Sequence, residues 1–190
     1  MKLYIDSSTS YLYLAVVEKN ISFSRSGKND HSETLVDYLK QFLDTNNISV
    51  DDITEVCVGR GPGSYTGLRI AGTVGKVLTF VSNKTFKSFS SLDLLLASKK
   101  EDGKYLARIV AKKNHSYIKA IEITNGIINT VLDDSFVEDS ELVKYETYQM
   151  IEPNDEIFST CDLAVRIDEI GLTKEESKYD YVPNYLRSGI

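Results

Sequence analysis

A glycine-rich segment constrains the fold more than any other part of this sequence. It reads Gly-Arg-Gly-Pro-Gly-Ser-Tyr-Thr-Gly-Leu-Arg over residues 59–69 and directly follows the apolar run Val56-Cys57-Val58. A short apolar run that gives way to small residues and then to a helical pattern is typical of a strand-to-helix turn in an α/β protein. Loop glycines before a helix can also hold an anion through backbone amides. The spacing matches neither a P-loop nor a nucleophile elbow. We therefore favour a structural turn and keep an anion cradle as the alternative.

Charge and composition exclude several function classes. The chain has 190 residues and a formal net charge of −6, which argues against direct electrostatic binding to nucleic acid. Cys57 and Cys161 lie far apart, and His31 and His115 lack metal-ligand spacing, so we expect no metal site. No apolar run approaches the ~18 residues of a membrane span, and the start shows no leader pattern. We therefore expect a cytoplasmic protein with no membrane partner.

Hydrophobic periodicity predicts a meander of strands followed by a helix, and this pattern occurs twice. The predicted strands cover residues 3–6, 11–17, 21–24, 55–58, 86–88, 105–111, 117–124, 127–132 and 156–159. The predicted helices cover residues 32–45, 65–82, 92–97 (capped by Ser91) and 163–170, and an extended tail covers residues 181–187.

The two long helices are each expected to bury one face. Asp30 and Glu33 have the spacing of a capping box at the start of the first helix. In the second helix, Gly67, Ala71 and Gly75 recur every four residues, and small residues at this spacing let another backbone come close. The predicted apolar faces comprise Leu35, Val36, Leu39, Phe42 and Leu43 in the first helix, and Ile70, Val74, Val77, Leu78 and Val81 in the second.

An acidic turn after the first predicted strand is a second candidate for phosphate binding. Sugar kinases, actin and chaperone ATPases hold phosphate with Asp-x-Gly-x-Thr/Ser at this place, whereas this chain has Asp6-Ser7-Ser8-Thr9-Ser10. Ser8 stands where the glycine would be, and its Cβ would crowd a phosphate. We interpret the segment as a β-turn stabilised by its own side chains, with a small-molecule kinase or ATPase as the alternative function.

These motifs together resemble the TsaB (YeaZ) family. The glycine-rich segment is similar to the pattern G-x-G-P-G-S-[FY]-T-G-[LV]-R-[IV] of that family. Its fixed positions are met by Gly59, Gly61, Pro62, Gly63, Ser64, Thr66, Gly67 and Arg69. Residues 3–10 resemble the first strand and turn of the family, and residues 31–35 resemble the start of its first helix. Pro183-x-Tyr185-Leu186-Arg187 is similar to its C-terminal P-x-Y-L-R.

The resemblance implies an α/β fold of the actin-like ATPase (ASKHA, RNase H-like) type, with two βα lobes of which the second is abbreviated. The N-terminal lobe would span residues 1–90, and the shortened C-terminal lobe would span residues 91–190, with a tail returning to the body. The resemblance also implies a non-catalytic subunit. Members bind the TsaD-type subunit that forms N6-threonylcarbamoyladenosine at position 37 of tRNAs reading ANN codons. A TsaE-type ATPase would join through the complex, and tRNA would be contacted only indirectly. We expect no cofactor, and leave open a nucleotide at the partner interface.

The resemblance further implies that the first two helices contact the partner. One side of the second helix carries a stripe of residues at spacings of four, three and four, namely Arg69, Thr73, Lys76 and Phe80. The stripe is polar except for the aromatic ring of Phe80. The predicted partner-binding residues are Ser32, Leu35, Leu39, Arg69, Thr73, Lys76, Val77 and Phe80. When the partner is absent, a homodimer through the same face is the corresponding expectation.

Overall fold

The computed structural model describes residues 1–27, 31–160 and 162–186. The strands are β1 (Lys2–Asp6), β2 (Tyr11–Val16), β3 (Ile21–Ser26), β4 (Glu55–Gly59), β5 (Thr85–Phe89), β6 (Gly103–Lys112), β7 (His115–Thr124), β8 (Ile127–Glu138), β9 (Gln149–Ile151) and β10 (Lys174–Glu175). The α-helices are α1 (His31–Thr45), α2 (Tyr65–Ser82), α3 (Ser91–Leu96), α4 (Asp155–Phe158) and α5 (Leu163–Glu169). Short 3-10 helices span Val17–Lys19, Val50–Asp52 and Asp139–Tyr145.

The first sheet has the order β10-β5-β4-β1-β2-β3. Strands β1, β2 and β3 form an antiparallel meander, whereas β4 pairs in parallel with both β1 and β5. Parallel neighbours need a crossover connection, and α2 provides the one between β4 and β5. Residues of α1 and α2 pack together and share one apolar core with this sheet, including Leu35, Phe42 and Ala71.

The second sheet has the order β8-β7-β6-β9 and packs against α3, which in turn contacts α5. One core cluster contains Tyr4 and Tyr13 from the first sheet together with Leu92 of α3, Ile121 of β7 and Ala164 of α5. The two sheets therefore meet through a shared apolar core, and β10 returns the chain to the edge of the first sheet. The division at residue 90 into an N-terminal and a shortened C-terminal lobe stays a prediction.

Three predictions about secondary structure need correction. Residues 156–159 were expected to form a strand, but helix α4 begins at Asp155, because Asn154 caps it by accepting a hydrogen bond from the Ile157 N–H at 2.9 Å. The cap of α3 is Ser90, which accepts from the Leu92 N–H at 3.2 Å, whereas Ser91 is already the first residue of the helix. Strand β8 continues to Glu138, well beyond the predicted end at residue 132.

Three valines predicted to lie on buried helix faces are exposed. Val77 and Val81 of α2 are 55% and 81% exposed, and Val36 of α1 is 61% exposed. Gly75 of α2 lies against the sheet, since its Cβ would meet Val58 and Phe86. At 100° per residue, Val77 and Val81 lie about 200° and 240° around the helix from Gly75. The apolar periodicity therefore predicted each helix correctly, but the buried face that it predicted included residues from the outer side of the helix.

Candidate functional site

The glycine-rich segment forms the turn between β4 and α2. Ser64 is the N-cap of α2, and its hydroxyl accepts a hydrogen bond from the Gly67 N–H at 3.3 Å. The Arg60 N–H donates to the carbonyl of Phe89 at 2.9 Å, and the carbonyl of Gly61 accepts from the Ser91 N–H at 3.0 Å. This turn is therefore bonded to the neighbouring turn between β5 and α3, and the predicted strand-to-helix connection is confirmed.

The same segment interlocks with the turn after β1. The Ser64 N–H donates to the carbonyl of Ser8 at 2.6 Å, and the Ser7 hydroxyl donates to the carbonyl of Gly67 at 2.9 Å. A Cβ on Gly63 would overlap the carbonyl oxygen of Ser8, and a Cβ on Gly67 would overlap that of Ser7. These glycines serve a close backbone approach, and the Ser7–Ser8 backbone fills the space beside the start of α2. The contacts favour the structural turn over the anion cradle.

The remaining positions of the family pattern have different surroundings. Gly59, Gly61 and Pro62 are buried, and the Gly61–Pro62 peptide bond is cis. Gly61 has a φ of +95°, in the region that favours glycine. Thr66 is exposed at the start of α2. Most of the pattern is thus explained by the geometry of the turn itself.

Asp6 lies under the turn and is 3% exposed. Its Oδ1 accepts a hydrogen bond from the Ser8 N–H at 2.6 Å, whereas its Oδ2 has no hydrogen-bond partner among the described residues. Burial raises the pKa of this carboxyl more than the hydrogen bond from Ser8 lowers it. A buried carboxyl of this kind is poorly suited to hold a free phosphate.

The predicted stripe on α2 is exposed over most of its length. Arg69, Thr73, Val77 and Phe80 are all exposed, and Lys76 is half-buried. Val81 lies next to Phe80 on the outer side of the helix. Arg and aromatic side chains beside exposed aliphatic ones have the composition of the centre of a protein–protein interface.

On α1 the two leucines predicted to contact the partner do not lie at the surface, and their contact with a partner stays a prediction. Leu35 is fully buried and Leu39 is 6% exposed, because both side chains pack into the core between α1 and the first sheet. Val36 is instead the exposed aliphatic residue of this helix. Ser32 lies in the first turn of α1, and its predicted side-chain role, like the capping box of Asp30 and Glu33, falls outside the described part of the chain.

The C-terminal segment, residues 177–186, lies along one flank of α2. The Lys76 ammonium donates to the carbonyl of Tyr181 at 3.2 Å, and the Arg69 Nε donates to the Tyr185 hydroxyl at 3.3 Å. The rings of Phe80 and Tyr179 meet edge to face with their centroids 5.2 Å apart. Residues 181–186 form neither helix nor strand and lie against the body, as predicted for the tail, and Arg187 lies outside the described residues. Sequence reasoning missed that this tail holds three residues of the stripe.

Other candidate chemistry finds no support in the described residues. Within residues 1–27, 31–160 and 162–186, no group of three or more His, Cys, Asp or Glu side chains is placed to hold a metal ion. The ring of His115 stacks on Phe136 with a centroid distance of 5.0 Å. Burial raises the pKa of the Cys57 thiol to about 12, as expected for an unreactive core cysteine. No helix in these same ranges is long and apolar enough to cross a bilayer.

Comparisons with known proteins agree with this architecture. Residues 24–174 match the model of the family described as TsaD, tRNA N6-adenosine threonylcarbamoyltransferase. The protein TsaB of Bacillus subtilis (strain 168), a tRNA threonylcarbamoyladenosine biosynthesis protein, is 27% identical over 139 residues, which are 71% of this chain and 61% of that protein. TsaB of Buchnera aphidicola subsp. Acyrthosiphon pisum is 21% identical over 180 residues, with 80% of each chain covered. The first two curated relatives are matched over only 61% and 50% of their own lengths.

Solved structures show the same fold. YeaZ from Pseudomonas aeruginosa superposes with a TM-score of 0.76 at 18% identity, covering 97% of this chain and 99% of that one. A second structure is described as an uncharacterized protein with similarity to peptidase YEAZ from the same species, and it superposes with a TM-score of 0.75.

The chain has a mixed α/β fold with two sheets, and most of its length matches the model of the TsaD family. This chain therefore belongs to the TsaD family. Within that family, the curated relatives that it matches are TsaB proteins, as the sequence resemblance predicted, and the solved YeaZ structures share its fold.

Proposed function

We propose that this chain is a non-catalytic subunit that binds a TsaD-type transferase. The complex forms N6-threonylcarbamoyladenosine at position 37 of tRNAs that read ANN codons. The relatives named for threonylcarbamoyladenosine biosynthesis support the pathway. The two βα lobes of an actin-like fold, with the second abbreviated, belong to the same proposal.

The proposed partner binding rests on the exposed residues of the outer face of α1 and α2. Val36, Val77 and Val81 expose more than half of each side chain, with Arg69 and Phe80 nearby on α2. Exposed aliphatic and aromatic side chains that gather on neighbouring helices mark interaction surfaces more often than free surface. We define the outer face by these five residues together with Thr73.

Two features support a non-catalytic role. Ser7 and Ser8 fill the space beside the start of α2 with their own backbone, where a phosphate-binding relative would need room. Asp6 beneath them is buried with a raised pKa, because burial disfavours its charged form. Both features favour a scaffold over a small-molecule kinase or ATPase of the same fold.

The proposal extends to the other members of the assembly. A TsaE-type ATPase joins through the complex, and tRNA is contacted only indirectly, since this chain carries a net charge of −6. This chain needs no cofactor of its own, and any nucleotide at the interface is held mainly by the partner.

Reconstitution of the reaction tests this proposal. ATP hydrolysis and formation of threonylcarbamoyladenosine are measured for this chain alone, for a TsaD-type subunit with the remaining components, and for the complete mixture. We expect no activity from this chain alone and full modification only in the complete mixture. Hydrolysis or modification by this chain alone would refute the non-catalytic assignment, and an unchanged rate on its omission would refute the subunit role.

A further inference from the structure

The C-terminal tail, residues 177–186, runs antiparallel to α2 along one flank of that helix. Tyr185, near the end of the tail, meets the start of α2, where its ring centroid lies 5.1 Å from that of Tyr65. Toward the other end of the helix, the Lys178 ammonium donates to the carbonyl of Thr79 at 3.1 Å. The tail and α2 therefore form one continuous flank.

This flank borders the outer face of α1 and α2. At 100° per residue, Lys76 and Phe80 lie about 100° and 140° around α2 from Gly75, which faces the sheet. Val77, in the middle of the outer face, lies at about 200°. Tyr179 of the tail is 76% exposed, and its ring meets that of Phe80 edge to face. A partner bound to the outer face therefore reaches the tail as well.

Three cations follow the flank, and each lies over an aromatic ring. The guanidinium carbon of Arg69 is 4.2 Å from the centroid of the Tyr65 ring. The ammonium nitrogens of Lys76 and Lys178 are 5.6 Å and 5.4 Å from the centroids of the rings beside them. A ring face attracts a cation but does not neutralise its charge. We call Arg69, Lys76 and Lys178 the flank cations.

The flank cations have no carboxylate partner in the described part of the chain. Within residues 1–27, 31–160 and 162–186, none of the three forms an ion pair with an Asp or Glu within 4.0 Å. The acidic residue of the tail, Asp180, instead accepts a hydrogen bond from the Ser177 hydroxyl at 2.9 Å. The sequence of α2 contains no acidic residue, although the whole chain carries a net charge of −6. The flank is thus a positive strip on an acidic protein.

The side chain of Arg69 is positioned to bind a carboxylate. Its Nε donates to the Tyr185 hydroxyl at 3.3 Å, which is the one hydrogen bond that this side chain makes to the described residues. The two terminal nitrogens, with four N–H groups, form a planar fork that matches the two oxygens of a carboxylate. Because the Tyr65 ring and the Tyr185 hydroxyl already restrict the guanidinium, less side-chain entropy is lost on binding.

We propose that the flank cations bind carboxylate side chains of the TsaD-type subunit, and that one Asp or Glu of that subunit pairs with Arg69 through both carboxylate oxygens. The inference rests on the proposed function, because it takes that subunit as the occupant of the neighbouring outer face. Charge complementarity selects the acidic residues of the subunit. A positive strip beside exposed valines matches a partner surface on which carboxylates border apolar side chains.

A nucleic-acid phosphate is the other anion that such cations bind, and two observations favour a carboxylate. The net charge of −6 on this chain repels a polyanion. The flank cations also lie beside Val77, Val81 and Phe80, whose exposed apolar groups a hydrated phosphate backbone would leave in water. A protein surface covers both the cations and these apolar groups.

Titration with the TsaD-type subunit at about 50 mM and about 500 mM NaCl tests the proposal. Arg69→Gln and Lys178→Gln each remove one flank cation. Lys112→Gln is the matched control, because the Lys112 ammonium on β6 also lies over a ring, 5.6 Å from the centroid of Phe136. We expect the dissociation constant at the lower salt to rise at least about fivefold for Arg69→Gln and about twofold for Lys178→Gln. Lys112→Gln should bind as the natural chain does.

The salt dependence separates charge pairing from packing. Because salt screens ion pairs, the loss caused by Arg69→Gln should fall by at least about half at the higher salt. Arg69→Lys keeps the charge and should lose less affinity than Arg69→Gln. A loss that is the same at both salt concentrations, or that is equal for Arg69→Lys and Arg69→Gln, would overturn the proposal.

The remaining outcomes distinguish this inference from the proposed function. If the natural chain forms no complex, both are refuted. If it binds and Val77→Glu weakens the complex while Arg69→Gln and Lys178→Gln bind as the natural chain does, the proposed function stands and this inference is refuted. Binding of tRNA to this chain alone that Arg69→Gln abolishes, with unchanged affinity for the subunit, would assign the flank to phosphate and would also overturn the inference.

Discussion

The close contact between Gly67 and Ser7 makes a quantitative prediction for Gly67→Ala. In an ordinary helix interior this change would stabilise the protein by ~1 kcal/mol. Here the new Cβ would overlap the carbonyl oxygen of Ser7, which is backbone and cannot move alone. The Ser7–Ser8 turn must shift, which breaks the bonds from Ser7 Oγ to the Gly67 carbonyl and from the Ser64 N–H to the Ser8 carbonyl.

The size of the effect follows from these two bonds. Leaving a buried hydrogen-bonding group without its partner costs about 1–3 kcal/mol, and two such losses less the helical gain give about 1–5 kcal/mol of destabilisation. Gly72→Ala in the same helix is the matched control, because its Cβ would meet the edge of the Tyr181 ring, a side chain that can move. Urea denaturation of both variants measures the difference. A Gly67→Ala variant as stable as the natural chain, or no less stable than Gly72→Ala, would refute the close-approach explanation of the glycine segment.

Three further predictions concern buried ionisable groups. Because the folded-state pKa of Asp6 is raised above its ordinary value of 3.8, ionisation destabilises the fold as pH rises through the folded pKa. Asp6→Asn should therefore be more stable than the natural chain at pH 7, with a gain that shrinks toward pH 3 in denaturation curves. Lys119 bonds Asp93 at 2.8 Å within a largely buried cluster, so Lys119→Met should cost about 3–5 kcal/mol in thermal or chemical denaturation. Lys104→Met, which removes the exposed pair with Glu122, should cost less than about 1 kcal/mol. Cys57, with its pKa raised to about 12, should resist a thiol reagent at pH 8 in a folded Cys161→Ser variant and react once the protein is denatured.

The sequence predicted the elements whose ends are set by local chemistry. Helix α2 runs from Tyr65 to Ser82 as predicted, since Ser64 caps its start and Asn83 adopts a left-handed conformation at its end. The gap between the predicted strands 117–124 and 127–132 is also found where expected, since Asn125 and Gly126 both adopt positive φ there, as a tight hairpin turn requires. Residues 156–159 were misassigned since their apolar residues are too few to show a period, and the cap at Asn154 decided the outcome.

The candidate site depends on tertiary packing, which the sequence pattern could not resolve. Apolar periodicity does not say which side of a helix meets the sheet, so it placed the exposed residues Val36, Val77 and Val81 on buried faces. The same periodicity placed Leu35 correctly in the core, whereas its partner-facing role came from the resemblance alone. The contact between Lys76 and Tyr181 joins residues 105 positions apart, and no local signal marks it. The resemblance identified the glycine segment, but only the structure shows that the Ser7–Ser8 backbone lies against it.

Calorimetric titration of this chain with a TsaD-type subunit tests the central proposal most directly. Val77→Glu places a charge at the middle of the outer face, and Val110→Glu is the matched control, because Val110 is an equally exposed valine (63%) on β6 of the second sheet. We predict a 1:1 complex for the natural chain and for Val110→Glu, and at least about tenfold weaker binding for Val77→Glu. No heat of binding for the natural chain, or equal affinity for both variants, would contradict the account.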